Sequence, residues 1–225
     1  NRIDYTGVAL AGADAGNYSL AATMAQGAGA ITPRTLTADA VAAQTKTYDG
    51  TTAADASKFR TTLGNLVAGE ENSVTATAAG ATYNDKNVAG ANKVSYTGVA
   101  LRGTGAGNYT IVTTAEGRGT ITRRALTLGE VAAQTKTYDG TTAADASKFR
   151  AALAGTIAGD DVKAAAATAT YNDKNVAAAN LVNYTGVALA GADAGNYTLA
   201  AGAAQGTGSI TRRALTLGTV AAQSK

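Results

Sequence analysis

Apolar and polar positions alternate in short runs cut by turn residues, the pattern of half-buried strands. In NYTIVTT, residues 108–114, Tyr109, Ile111 and Thr113 fall on one face, and Thr110, Val112 and Thr114 on the other. Val94 and Tyr96 share a face in the same way, as do Leu126 and Leu128. Asp49-Gly50, GEEN at 69–72, NDKN at 84–87 and the glycines around AGNY separate the runs. These residues tolerate positive φ or hydrogen-bond their own backbone. The pattern predicts about seven strands in about 89 residues, the count of an Ig-like β-sandwich. DASKFRAALAG at 145–155 departs from it: it is Ala-rich, with Phe149 and Leu153 four positions apart, which admits a short helix.

The pattern repeats. VAAQTKTYDGTTAADASKFR at 41–60 returns unchanged at 131–150. YTGVAL stands at 5–10, 96–101 and 184–189, and AGNY at 15–18, 106–109 and 194–197. The expected organisation is the C-terminal part of one repeat (1–33), two complete repeats (34–123 and 124–212) and the first strand of a further repeat (213–225). Only the stretch between SKFR and YNDKN changes length between the two complete copies, as a solvated hairpin or loop tolerates. No Pro- or Ser-rich linker separates the repeats, so last strand should run almost directly into first strand. The fold expected is therefore all-β, with tandem Ig-like β-sandwich domains stacked end to end. A parallel β-helix is the alternative, although the landmarks do not recur within a repeat at the period of one coil.

Composition narrows the function. Apolar residues make up 45% of the chain but aromatics only 5%, which favours thin, closely packed β layers. The 19 cations and 16 anions are interspersed, so the net charge of +3 gives nucleic-acid binding little support. No apolar run is long enough to span a membrane. The absence of Cys suits an exported protein, and an opening at Asn1 suits a piece of a longer chain.

Candidate chemistry is sparse. Tyr48-Asp49-Gly50 and its copy Tyr138-Asp139-Gly140 read as a strand ending in a tight turn, with the Asp capping its own backbone and the Gly at positive φ. No His exists to partner either acid, and no set of nucleophile, base and metal ligands can be assembled, so neither an enzyme nor a cofactor is expected. Acidic turns such as Gly159-Asp160-Asp161 have the groups calcium needs, but the counterpart is Gly69-Glu70-Glu71, and no metal site is expected where ligand sets change between repeats. GTGAGN at 103–108 lacks both the spacing and the lysine of a phosphate loop and reads as a turn. The tyrosines recur at equivalent positions, as core residues would. Tyr83 and Tyr171, beside the polar NDKN turns, are the ones expected to be exposed and are the candidate glycan contacts.

KTYDGTT, followed in order by AGDD, YNDKNV, YTGVAL, GADAGNYTL and ITRRALT, resembles the YDG-type repeat of large bacterial surface exoproteins, including filamentous-haemagglutinin-like adhesins. The resemblance covers essentially the whole chain. It implies an extracellular β-domain, repeated many times in a secreted cell-surface or biofilm-matrix protein, with no enzymatic activity. The expected role is a repetitive stalk whose partners are neighbouring repeats, without nucleic acid or membrane insertion. The alternative is that the repeats themselves bind polysaccharide, or other copies of the chain to build a fibre.

Overall fold

The structure is a computed structural model describing residues 1–219 and 221–223. It is all-β. Residues 1–33 contribute an antiparallel pair, β1 (Arg2–Thr6) and β2 (Met24–Ala28). The first repeat holds β3 (Arg34–Val41), β4 (Gln44–Thr47), β5 (Thr61–Gly64), β6 (Thr75–Thr77), β7 (Gly80–Tyr83), β8 (Lys93–Thr97), β9 (Ala100–Arg102), β10 (Tyr109–Ile111) and β11 (Thr114–Thr122). The second repeats this order with β12 (Arg124–Val131), β13 (Gln134–Thr137), β14 (Ala151–Ala154), β15 (Lys163–Ala165), β16 (Thr168–Tyr171), β17 (Leu181–Thr185), β18 (Ala188–Ala190), β19 (Tyr197–Leu199) and β20 (Ala203–Thr211).

The chain divides into two compact units. Unit 1 comprises Asn1–Ala42, Ala56–Gly80 and Tyr96–Ala115. It contains the β1-β2 pair, the sheet β10-β3-β5 and the ladder β6-β9. Leu36, Val74 and Tyr109 form a buried cluster there, with Leu63, Leu66 and Leu101 packed against it. Unit 2 comprises Ala43–Asp55, Ala81–Ser95 and Glu116–Lys225, and so includes β4, most of β11 and the whole second repeat.

The second repeat shows how the sequence makes the sandwich. One sheet has the order β14-β12-β19, the other β13-β20-β17-β16, and β15 pairs with β18 apart from both. Alternation sends Val182 and Tyr184 inward from β17, where Ile210 and Tyr171 join them. Leu128, Val131, Ala151 and Leu199 pack onto that cluster from the opposite sheet. Residues 132–133 carry the chain from β12 to β13, and thus from one sheet to the other. The first strands then run parallel to the last: β12 pairs with β19 from Arg124↔Tyr197 to Leu126↔Leu199, and β13 with β20 from Gln134↔Gly208 to Thr137↔Thr211.

These antiparallel and mixed sheets are β-sandwiches and exclude the parallel β-helix. Each repeat has nine strands where the alternation predicts about seven. The strands most easily overlooked are three-residue segments such as Lys163–Ala165 and Ala188–Ala190, whose Ala-rich sequences carry little hydrophobic pattern. The short helix admitted at 145–155 is a single 3-10 turn, Ala146–Lys148, capped by Asp145 accepting from the Ser147 amide at 2.9 Å. Phe149 is then drawn into the core and β14 pairs with β12, which ends the turn.

No strand forms across the described part of 213–225, where Leu215 and Leu217 are fully exposed. The equivalent strand β12 is held by β14 and β19 of its own repeat. Val220, Ser224 and Lys225 of that expected strand lie outside the described residues.

Candidate functional site

The Tyr-Asp-Gly turns are closed structural units. Lys136 Nζ donates to Asp139 Oδ1 (2.8 Å), the Thr141 carbonyl (2.8 Å), Thr141 Oγ1 (3.1 Å) and the Ala143 carbonyl (2.9 Å). Asp139 Oδ1 also accepts from the amide and hydroxyl of Thr141, each at 2.9 Å. Gly140 sits at φ +82°, where a side chain would be strained. Lys46, Asp49, Thr51 and Ala53 repeat the same network around Gly50. The lysine and aspartate thereby satisfy one another and the turn backbone.

The Lys136 hydrogen bond, helped by the Thr141 amide and hydroxyl, holds the Asp139 carboxyl down at about 2. A carboxylate depressed in the folded state stabilises the fold above its ordinary titration range, near 4, and loses that contribution as pH falls through the folded value. The melting temperature should therefore decline between about pH 4 and pH 2. Asp139→Asn should flatten that part of the curve, and a pH series of thermal melts on the two proteins measures the difference.

Tyr83 and Tyr171 are not exposed: they are 1% and 3% accessible. Each ends its strand on the inward-facing side, and Lys46 Nζ or Lys136 Nζ lies 5.4 Å from the ring centroid. The polar turn begins only at the following residue, so it does not bring the ring to the surface. This removes the geometric basis for treating them as glycan contacts.

A second cluster joins the first repeat to the second, entirely within unit 2. Tyr48, wholly buried, donates its hydroxyl to Asp160 Oδ2 at 2.9 Å. The Tyr197 hydroxyl donates to the same oxygen at 2.5 Å and accepts from the Ile157 amide at 3.0 Å. The two rings meet edge to face with centroids 5.3 Å apart. Beside them, Asn196 Oδ1 accepts from the Val88 amide at 3.0 Å while its Nδ2 donates to Asn87 Oδ1 at 2.9 Å. Arg123 Nε donates to the Gly195 carbonyl at 3.0 Å. A Cβ on Gly50 would lie 3.0 Å from Ile157 Cγ2, so the turn and the facing loop are in close contact.

Burial, followed by the hydrogen bond to Asp160, raises the pKa of both Tyr48 and Tyr197. Both phenols stay protonated and donate to the same Asp160 oxygen. Among the described residues no group of three His, Cys, Asp or Glu side chains could hold a metal ion. The sequence presents 159–161 as an acidic turn, weighed as a calcium site and set aside, and does not single out Asp160 as the partner of Tyr48 and Tyr197. The available signal was an acid at both 70 and 160 in a stretch whose length otherwise differs.

The family model of the YDG domain matches residues 32–116 and again 122–205, more than half of the chain. The chain belongs to the YDG domain family. No curated protein and no solved structure matches it. The first YDG domain supplies Tyr48, Asn87 and Val88 to the junction, and the second supplies Ile157, Asp160, Asn196 and Tyr197.

Proposed function

We propose that these YDG domains are a repetitive stalk segment of a secreted bacterial cell-surface or biofilm-matrix adhesin, giving length and rigidity to a chain whose ligand is met elsewhere. The observation that carries this reading is the burial of Tyr48 against Asp160 and Tyr197 of the following domain. A buried contact of this kind resists hinge motion, and Arg123 passes straight to Arg124 with no spacer to loosen it. The signature acids are engaged in turn structure, which leaves them poor candidates for catalysis. Burial of Tyr83 and Tyr171 likewise argues against a polysaccharide platform at those positions.

Proteins with increasing numbers of YDG domains test the proposal. Their longest dimension in solution scattering should grow linearly with copy number, by about 35–45 Å per domain, given a rise of roughly 3.4 Å per strand residue. Growth with the square root of copy number would mean a flexible string and would reject the stalk. Deleting 124–212 from the adhesin should shorten reach while leaving short-range adhesion intact. Ligand affinity that falls with each copy lost would instead identify the domains as multivalent binders.

A further inference from the structure

The second domain has a groove of about 1150 Å³ on one side of its sandwich. Two consecutive strands line it, β14 and β15, and they do not pair with each other. Among the described residues β14 is the edge of its three-stranded sheet, and β15 pairs only with β18. Both strands thus bring an unpaired edge to the groove. The edge of β16, by contrast, is covered by residues 142–144: the Tyr171 amide donates to the Thr142 carbonyl at 2.8 Å, and the Ala144 amide to the Ala169 carbonyl at 3.2 Å. Charges that commonly guard an edge are sparse here, since β14 reads Ala-Ala-Leu-Ala and β15 Lys-Ala-Ala. The β12–β14 register also shifts between Leu128 and Val131, beside the groove.

These positions are equally open in the first domain, which has repeat sequence on both sides of it. Arg60, Thr62 and Thr77 are exposed like Arg150, Ala152 and Ala165. Thr61, Ala76 and Ala78 are half-buried like Ala151, Ala164 and Ala166.

The lining selects the occupant. It is mostly alanine, which lets another backbone come close. Its one aromatic, Phe149, is 2% accessible and offers no exposed ring for a sugar to stack on. Arg150 and Lys163 stand against a single acid, Glu130. Arg150 Nη1 donates to the Ser147 and Phe149 carbonyls, each at 2.7 Å, which fixes the guanidinium in place for a carboxylate. Glu130 opposes a polyanion but tolerates one acidic group.

We infer that this groove binds an extended peptide as an added strand between β14 and β15, with small or β-branched side chains over the alanines and one acidic side chain at Arg150 and Lys163. Hydrogen bonds to the strand edges supply affinity, and side chains at alternate positions supply selectivity. Such a peptide is a partner of the domain itself, separate from any ligand met elsewhere on an adhesin, and the inference does not depend on the stalk role.

Hydrogen-exchange mass spectrometry on the 225-residue chain tests it, with the hexapeptide Thr-Val-Thr-Val-Thr-Glu as the probe. At about ten times its Kd the peptide should slow exchange in β14 and β15 by roughly tenfold, because exchange then proceeds from the unbound fraction. The same peptide N-methylated at its central amides keeps the side chains and should protect neither strand. Ala152→Gln fills the groove at an exposed position and should abolish protection while the thermal melt stays unchanged. Lys163→Glu, also at an exposed position, should shift preference to the counterpart peptide that ends in Lys. The inference is overturned if the probe protects neither strand, if the methylated peptide protects them equally, or if oligogalacturonate protects them and the peptide does not.

Discussion

Tyr48→Ala is expected to destabilise the protein by about 3–5 kcal/mol, the range for emptying a buried aromatic site. The side chain is inaccessible, its ring meets Tyr197 edge-on, and its hydroxyl is bonded to Asp160. Tyr138→Ala changes the same residue in the same local sequence, but at a half-buried site, and should cost about 1–2 kcal/mol. Urea denaturation of the two variants measures the difference. Equal losses would show that Tyr48 stabilises only its own turn and that the junction adds nothing.

Tyr184→Ala should cost a similar 3–5 kcal/mol, for a reason internal to the second domain. Its ring is 1% accessible and packs 4.8 Å from that of Phe149, while its hydroxyl accepts from Gln134 Nε2 at 3.0 Å. Gln134 is itself buried and clamps the loop before the 3-10 turn, exchanging hydrogen bonds with the Asp145 amide and carbonyl at 2.8 and 3.1 Å. Tyr184→Phe removes only the hydroxyl and should cost about 1 kcal/mol. A denaturation series across the wild type, Phe and Ala forms separates the packing contribution from the hydrogen bond. If the Phe variant loses as much as the Ala variant, the Gln134 contact outweighs the packing.

Much of the fold is legible because it is local. Val182 and Tyr184 alternate with polar residues, and Asp139-Gly140 announces a turn whose geometry depends on residues a few positions away. The junction is not local. Tyr48 and Asp160 are 112 positions apart, and nothing in either neighbourhood names the other as its partner. The same holds for the parallel pairing of β13 with β20, since alternation identifies a strand without specifying its neighbour. Tyr171 shows how a local inference misleads. The polarity of the following Asn172 suggested exposure, whereas Ala169, two positions before it, shares its face and is also buried. Face membership predicts burial here, and proximity to a polar turn does not.

The pairing of β13 with β20 also governs how a YDG domain responds to force. Tension along the chain enters at the start of β12 and leaves at the end of β20. Because β13 and β20 lie side by side and parallel, that tension draws them past each other and loads their ladder in shear. The hydrogen bonds from Gln134↔Gly208 to Thr137↔Thr211 carry the load together, where a hairpin pulled apart at its open end would give way one bond at a time. How long such a domain holds is then set by its rate of forced unfolding and not by its equilibrium stability.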